Sequence, residues 1–198
     1  MTAEPDARAC GSCSLCCRVL RVDEIGKLGG DPCIHQRRGG GCGIHATRPG
    51  ICRAYRCLWL KGGLEAADRP DRLGAVVDLM NAGAGSWLAI RQAEPGAFER
   101  SERLRQIAET FRASLPVRIT DAADTLDADR PYRVLLPDGE EHRVGGDRVE
   151  IRRGGQAVET RRLPWLERQV RRLVLAFRRW KLARFGSRAA AFRGRSDS

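Results

Sequence analysis

Four cysteines fall within eight positions of "CGSCSLCCRVL" (residues 10–20): Cys10, Cys13, Cys16 and Cys17. Cys33, Cys42, Cys52 and Cys57 complete a set of eight, and none occurs in the 141 residues that follow. The C-x2-C spacing lets two soft thiolates converge on one centre from a tight turn, and it recurs in zinc and iron–sulfur sites. A single such pair is often incidental. Eight cysteines confined to 48 positions point instead to metal or redox chemistry. Neighbouring side chains in extended backbone point to opposite sides, so Cys16 and Cys17 need not serve the same ion. The thiols suit either two four-thiolate sites or one site with spare nucleophilic or redox thiols. His35 and His45 lie inside the segment as substitute donors, although a surface role or a place behind the ligands is the simpler reading for each.

Metal identity stays open at this level. Cys10, Cys13 and Cys16 reproduce the first three positions of a ferredoxin-type C-x2-C-x2-C run, whose fourth ligand arrives from elsewhere. Cys52-x4-Cys57 has the spacing of a tetrahedral zinc knuckle. The expected cofactor is therefore an iron–sulfur cluster, of the [4Fe-4S] kind, or Zn2+. Arg48, Arg53 and Arg56 surround the last cysteines, where guanidinium groups would favour thiolates. Tyr55 and Trp59 read as caps over a small core.

Something must hold these thiols in place. The chain divides by composition into a flexible N-terminus (1–9), a cysteine-cluster metal-binding region (10–64), a small α+β body (65–160), and a basic amphipathic helix with a disordered tail (161–198). The cysteine region is rich in Gly and Arg and has little periodicity, so a metal would replace part of its missing core. In the body, "LGAVVDLM" (73–80) and "SWLAIRQA" (86–93) read as strands around the turn-forming "NAGAG". The stretch 95–115 carries Phe98, Leu104, Ile107, Ala108 and Phe111 at helical spacing, with Pro95 at its start. A strand at 116–120 follows. Residues 132–144 form a hairpin candidate turning at Asp138-Gly139, and 147–153 reads as one more strand. The fold class expected is α+β: an irregular Cys-rich N-terminal region on a small mixed sheet and helix body, with a C-terminal amphipathic helix.

The motifs together resemble a known family. "CGSCSLCC", "PCIH", "GCGIHATRPGICRAYRCLWL" and "DRLGAVVDLM" are similar to the CxxCxxCC zinc- or iron-chelating domain, the YkgJ-like cysteine-cluster proteins, over about residues 10–80. The resemblance includes the cysteine doublet, Arg48-Pro49 before Cys52, and the C-x2-Y/F-x-C-x-W ending. It implies that all eight cysteines form the chelating set, and it carries no settled activity. A similar cluster occurs in flagellin lysine N-methylases, which implies an enzyme relative. This chain is short for such an enzyme and lacks a Gly-rich cofactor signature between a strand and a helix.

Compartment and charge complete the reading. The opening "MTAEPDARAC" has neither the basic nor the apolar region of a secretory signal, and no apolar run reaches the length of a membrane span. A cytoplasmic location is expected, where clustered cysteines serve metals more often than disulfides. The formal charge of +11 is concentrated in residues 161–198, with 12 Lys/Arg against 2 Asp/Glu. On the helix at 163–185, Leu166, Val170, Leu173, Val174, Phe177 and Trp180 share one face, and Arg168, Arg171, Arg172, Arg178 and Arg179 the other. Such a helix packs on its own domain or a second copy, or it meets nucleic acid or an acidic membrane surface. The leading expectation is a metal-binding cysteine-cluster protein. The alternatives are a redox or transferase enzyme using the cluster or a spare thiol, and a nucleic-acid- or membrane-surface-binding module acting through the tail.

Overall fold

The computed structural model describes residues 8–82, 85–122 and 129–193. Within them the chain is α+β, with a seven-stranded mixed sheet and six helices. The strands lie in sequence order: β1 (Ala75–Ala82), β2 (Gly85–Gln92), β3 (Val117–Asp121), β4 (Tyr132–Leu135), β5 (Glu140–Gly145), β6 (Arg148–Arg153) and β7 (Gln156–Arg162). All neighbours are antiparallel except β2 and β3, which run parallel. A parallel pair needs a crossover, and this one contains α4 (Ala97–Arg100) and α5 (Glu102–Arg112). The sequence reads 95–115 as one helix; Ser101 divides it, because its extended backbone and hydroxyl cap α5 by accepting from the Leu104 N–H at 3.2 Å. The middle of "NAGAG", residues 83–84, lies outside the described residues.

Alternation along the strands gives the sheet two different faces. Ala75 and Val77 join Leu88, Ile90, Val117, Ile119 and Leu135 in the main core, closed by Phe98, Leu104, Ile107 and Ala108 from the crossover helices. Val76 points the other way, into a smaller cluster with Val19 and Ala122 that also gathers Leu15, Leu20, Tyr55 and Cys57. The cysteine region is thus seated on the face of β1 opposite α5. It is further tied to the β1 edge, where the Leu58 N–H donates to the Val77 carbonyl at 2.9 Å.

The hairpin turning at Asp138-Gly139 is present as β4 and β5; the Asp138 carboxylate accepts the Glu140 N–H at 3.0 Å. One strand, β7, goes unread in the sequence. Every residue of it is exposed, so it carries no apolar alternation, and only the Gly154-Gly155 turn before it hints at a hairpin. The last helix, α6 (Trp165–Arg193), runs past the frayed end expected from residue 186; residues 194–198 and the N-terminal 1–7 lie outside the described residues. Among the described residues no helix is long and apolar enough to cross a membrane.

Candidate metal centre

Three short helical pieces carry the cysteine region: α1 (Leu15–Val19), a 3-10 turn (Asp23–Ile25) and α2 (Gly50–Ala54). Helices this short do not hold themselves, so the region is fixed by specific hydrogen bonds. Lys27 is buried, and its ammonium donates to the carbonyls of Leu20 (2.5 Å), Leu28 (2.9 Å) and Arg18 (3.2 Å), closing the C-terminal end of α1. The Glu24 carboxylate caps α2 by accepting the N–H groups of Gly50 (2.9 Å) and Ile51 (2.8 Å). The Gln36 amide donates to the Ser14 hydroxyl at 2.8 Å, and the Cys33 N–H to the Cys17 carbonyl at 3.1 Å. At Gly40 (φ +91°) a Cβ would stand 2.4 Å from the Ser12 carbonyl oxygen, so only glycine lets this loop lie against the first C-x2-C turn.

All eight cysteines are free thiols, each partly exposed. By their mutual fields Cys10 and Cys13 act on Cys16 and Cys57, and Cys17 and Cys42 act on Cys33 and Cys52. The adjacent pair joins them: Cys16 keeps its proton and donates it in a hydrogen bond to the Cys17 sulfur.

Protonation follows from this arrangement. The bond from Cys16 lowers the Cys17 pKa to about 7; burial opposes the shift, and the positive charges of Lys27 and Arg48 support it. Cys16 is held well above the ordinary thiol range, first by that same bond and then by burial. Burial raises Cys13, Cys33, Cys52 and Cys57. Backbone N–H groups partly offset this by pointing at sulfur: Leu15 and Asp71 at Cys13, His35 at Cys33, and Leu60 at Cys57. The surroundings differ as well. Asp71 and Arg69 act on Cys13 and Asp78 on Cys57, whereas Lys27 and Arg48 act on Cys17 and Glu24 on Cys52.

The donor chemistry suits a thiophilic ion, because soft sulfur supplied with N–H donors is what zinc and iron–sulfur sites use. A buried orphan agrees with it. The Tyr55 hydroxyl has no hydrogen-bond partner among the described residues, and it lies where the charges of Asp78 and Arg91, and then of Cys57 and Cys16, reach it. Such a donor normally has an acceptor. Against this, among the described residues no group of three or more His, Cys, Asp or Glu side chains stands in an arrangement that could hold a metal ion as it is.

The remaining sequence candidates separate clearly. Arg48 donates to the carbonyls of His45 (2.8 Å) and Cys52 (3.2 Å) and sends its charge toward Cys17. Arg53 and Arg56 are exposed. Trp59 is buried, with its indole N–H on the Ala66 carbonyl at 3.1 Å, and Tyr55 packs in the smaller core cluster. His45 is exposed; His35 serves through its backbone, with its carbonyl accepting the Gly43 N–H at 2.7 Å. Lys27 and Glu24 were not visible as site residues, since a lone Lys or Glu in a loop carries no spacing signal. No family model, curated protein or solved structure matches this chain.

Proposed function

We propose that the chain is a metal-binding protein of the cysteine-cluster type with two four-thiolate sites, one formed by Cys10, Cys13, Cys16 and Cys57 and the other by Cys17, Cys33, Cys42 and Cys52. What supports this reading is that all eight thiols lie in one segment and that Cys10 and Cys13 act electrostatically on Cys16 and Cys57, whereas Cys17 and Cys42 act on Cys33 and Cys52. Four thiolates complete the coordination of a tetrahedral zinc ion or of one [4Fe-4S] cluster. Zinc would supply folding energy and no redox chemistry; a cluster would supply one-electron transfer. The chain's own contribution is to deliver sulfur, direct N–H donors at it, and balance the charge of Cys17 with Lys27 and Arg48.

Anaerobic purification followed by metal and acid-labile sulfide analysis tests the proposal. Two zinc ions or two clusters per chain are expected, with Cys10→Ser and Cys52→Ser each removing about half. Loss of all metal in either variant would replace two sites with one. A protein that takes up neither metal, even after reconstitution, would end the reading.

A second reading makes Cys17 a spare nucleophile in a redox or transferase enzyme, and its depressed pKa favours this. Cys17→Ser would then leave the metal content unchanged, whereas the two-site reading requires it to fall.

A further inference from the structure

The long helix α6 leaves its apolar stripe largely exposed. Arg168 reaches Asp147 at 3.4 Å, Arg171 lies over the Tyr132 ring with 5.5 Å to its centre, and Leu175 is half-buried; further along, α6 meets the Asp23–Ile25 turn, where Leu173, Val174 and Phe177 border a cavity with Arg21 and Asp23. Leu166, Leu173 and Phe177 are nevertheless 67%, 70% and 61% exposed. Trp165, Val170, Val174 and Trp180 extend the same surface, so seven of the eleven large exposed hydrophobics among the described residues lie on this one helix. Isolated exposed apolar residues need no explanation, but a contiguous stripe over four turns does.

Charge identifies what covers it. On a helical projection the stripe runs between Arg172 and Arg179 on one side and Arg178 on the other, with Lys181 within it beside Val170 and Val174. Glu167 is the one acidic residue of α6. We infer that α6 docks on an anionic lipid surface, with the Leu/Phe/Trp stripe entering the acyl boundary and the bordering cations meeting lipid phosphates. Long basic side chains lie along apolar surface while their heads stay at the interface, and tryptophan favours the same depth. A second copy fits the stripe less well, because it would bring two segments of like charge together with almost no acid to offset them. Nucleic acid would use the cations and leave the apolar stripe in water.

The experiment is co-sedimentation of the full-length, metal-loaded protein with phosphatidylcholine vesicles, with and without roughly 30% phosphatidylserine, at about 0.15 M salt. The protein is expected to sediment with the anionic vesicles and to bind neutral ones at least about tenfold more weakly, with retention falling as salt rises. The double variant Leu173→Gln/Phe177→Gln should lose about tenfold or more in binding to anionic vesicles, with unchanged circular dichroism and metal content. These side chains are exposed, so the core is untouched. Equal retention on both vesicle types, or full binding by the double variant, would overturn the inference. So would failure to bind vesicles together with either tight salt-sensitive binding to duplex DNA that the variant keeps, or a dimer in sedimentation velocity that the variant dissociates.

Discussion

Cys16 and Cys17 are chemically unequal although adjacent. One proton between them sits on Cys16, and the Cys17 thiolate gains from that bond and from Lys27 and Arg48. In the metal-free protein, iodoacetamide should therefore modify Cys17 first, with a pH midpoint near about 7, read by mass spectrometry of the alkylated peptides. Lys27→Met removes a cation, so the midpoint should move up toward the ordinary thiol value. It also strands three carbonyls, with a stability cost of about 1–3 kcal/mol in urea unfolding. The other thiols set the response of the metal-free fold to alkali. Cys13, Cys16, Cys33, Cys52 and Cys57 have folded pKa values above their unfolded ones, so their contribution is complete below the ordinary thiol range and is lost as pH rises through the folded values. Cys17 acts in the opposite sense, adding stability as pH rises from about 7. With five raised and one lowered, the melting temperature of the metal-free protein should fall above pH ~9. If the chain binds metal as proposed, the loaded form should instead weaken on acidification, where protons compete for the thiolates. Thermal melts of both forms across this range compare the two slopes.

Among the elements, one ion pair joins the start of α3 (Pro70–Leu73) to α5. Asp68 is buried and takes Arg103 in two parallel bonds of 2.7 Å each, while also accepting the Glu65 N–H at 3.1 Å. The Arg103 bonds hold the Asp68 carboxyl below its usual range. Its contribution is therefore present above the unfolded carboxylate pKa and is lost as pH falls through the lower folded value. Arg103 is partly exposed and solvent screens the pair, so Asp68→Asn should cost about 1–3 kcal/mol in urea unfolding, not the larger figure for a fully buried pair. The main-core position Leu104 should respond more strongly, with Leu104→Ala costing roughly 2–5 kcal/mol. How far the elements could be read from sequence depended on burial. β1 and β2 show as short apolar runs buried on both faces, with Val76 of β1 in the second cluster, while β3 shows alternation and the α5 helix a 3.6-residue period. β7 has none and was missed. In α6 the period shows the stripe but not how the helix meets the body, through Arg168 on Asp147, Arg171 on Tyr132 and the Asp23–Ile25 turn. At the candidate site, all eight cysteines were evident from spacing. How the chain returns past them was not, because it depends on Gly40 lying against Ser12 and Cys33 against Cys17.

At the scale of the whole molecule, two parts of unequal self-sufficiency share one sheet. The body buries Leu88, Ile90, Leu104 and Val117 completely and closes its core with α5. The cysteine region contributes chiefly Val19, Val22, Leu58 and Trp59 to the buried set, too few apolar groups to offset the entropy of ordering some fifty residues. It is anchored on both faces of the sheet, by Val19 against Val76 and Ala122 and by Leu58, which enters the main core and donates to Val77. If bound metal makes up the difference, removing it should loosen the two parts unequally. A thiol-competitive chelator under reducing conditions should raise amide hydrogen exchange across residues 10–57 by about tenfold or more, with β1–β3 and α5 remaining protected. Val19→Ala should mimic part of this loosening with metal still bound, since it removes the contact that seats α1 on the sheet. Exchange that rises uniformly through both parts would show that the cysteine region completes the core of the body. Exchange that does not change at all would show that the hydrogen bonds of Lys27, Glu24 and Gln36 hold the region without metal.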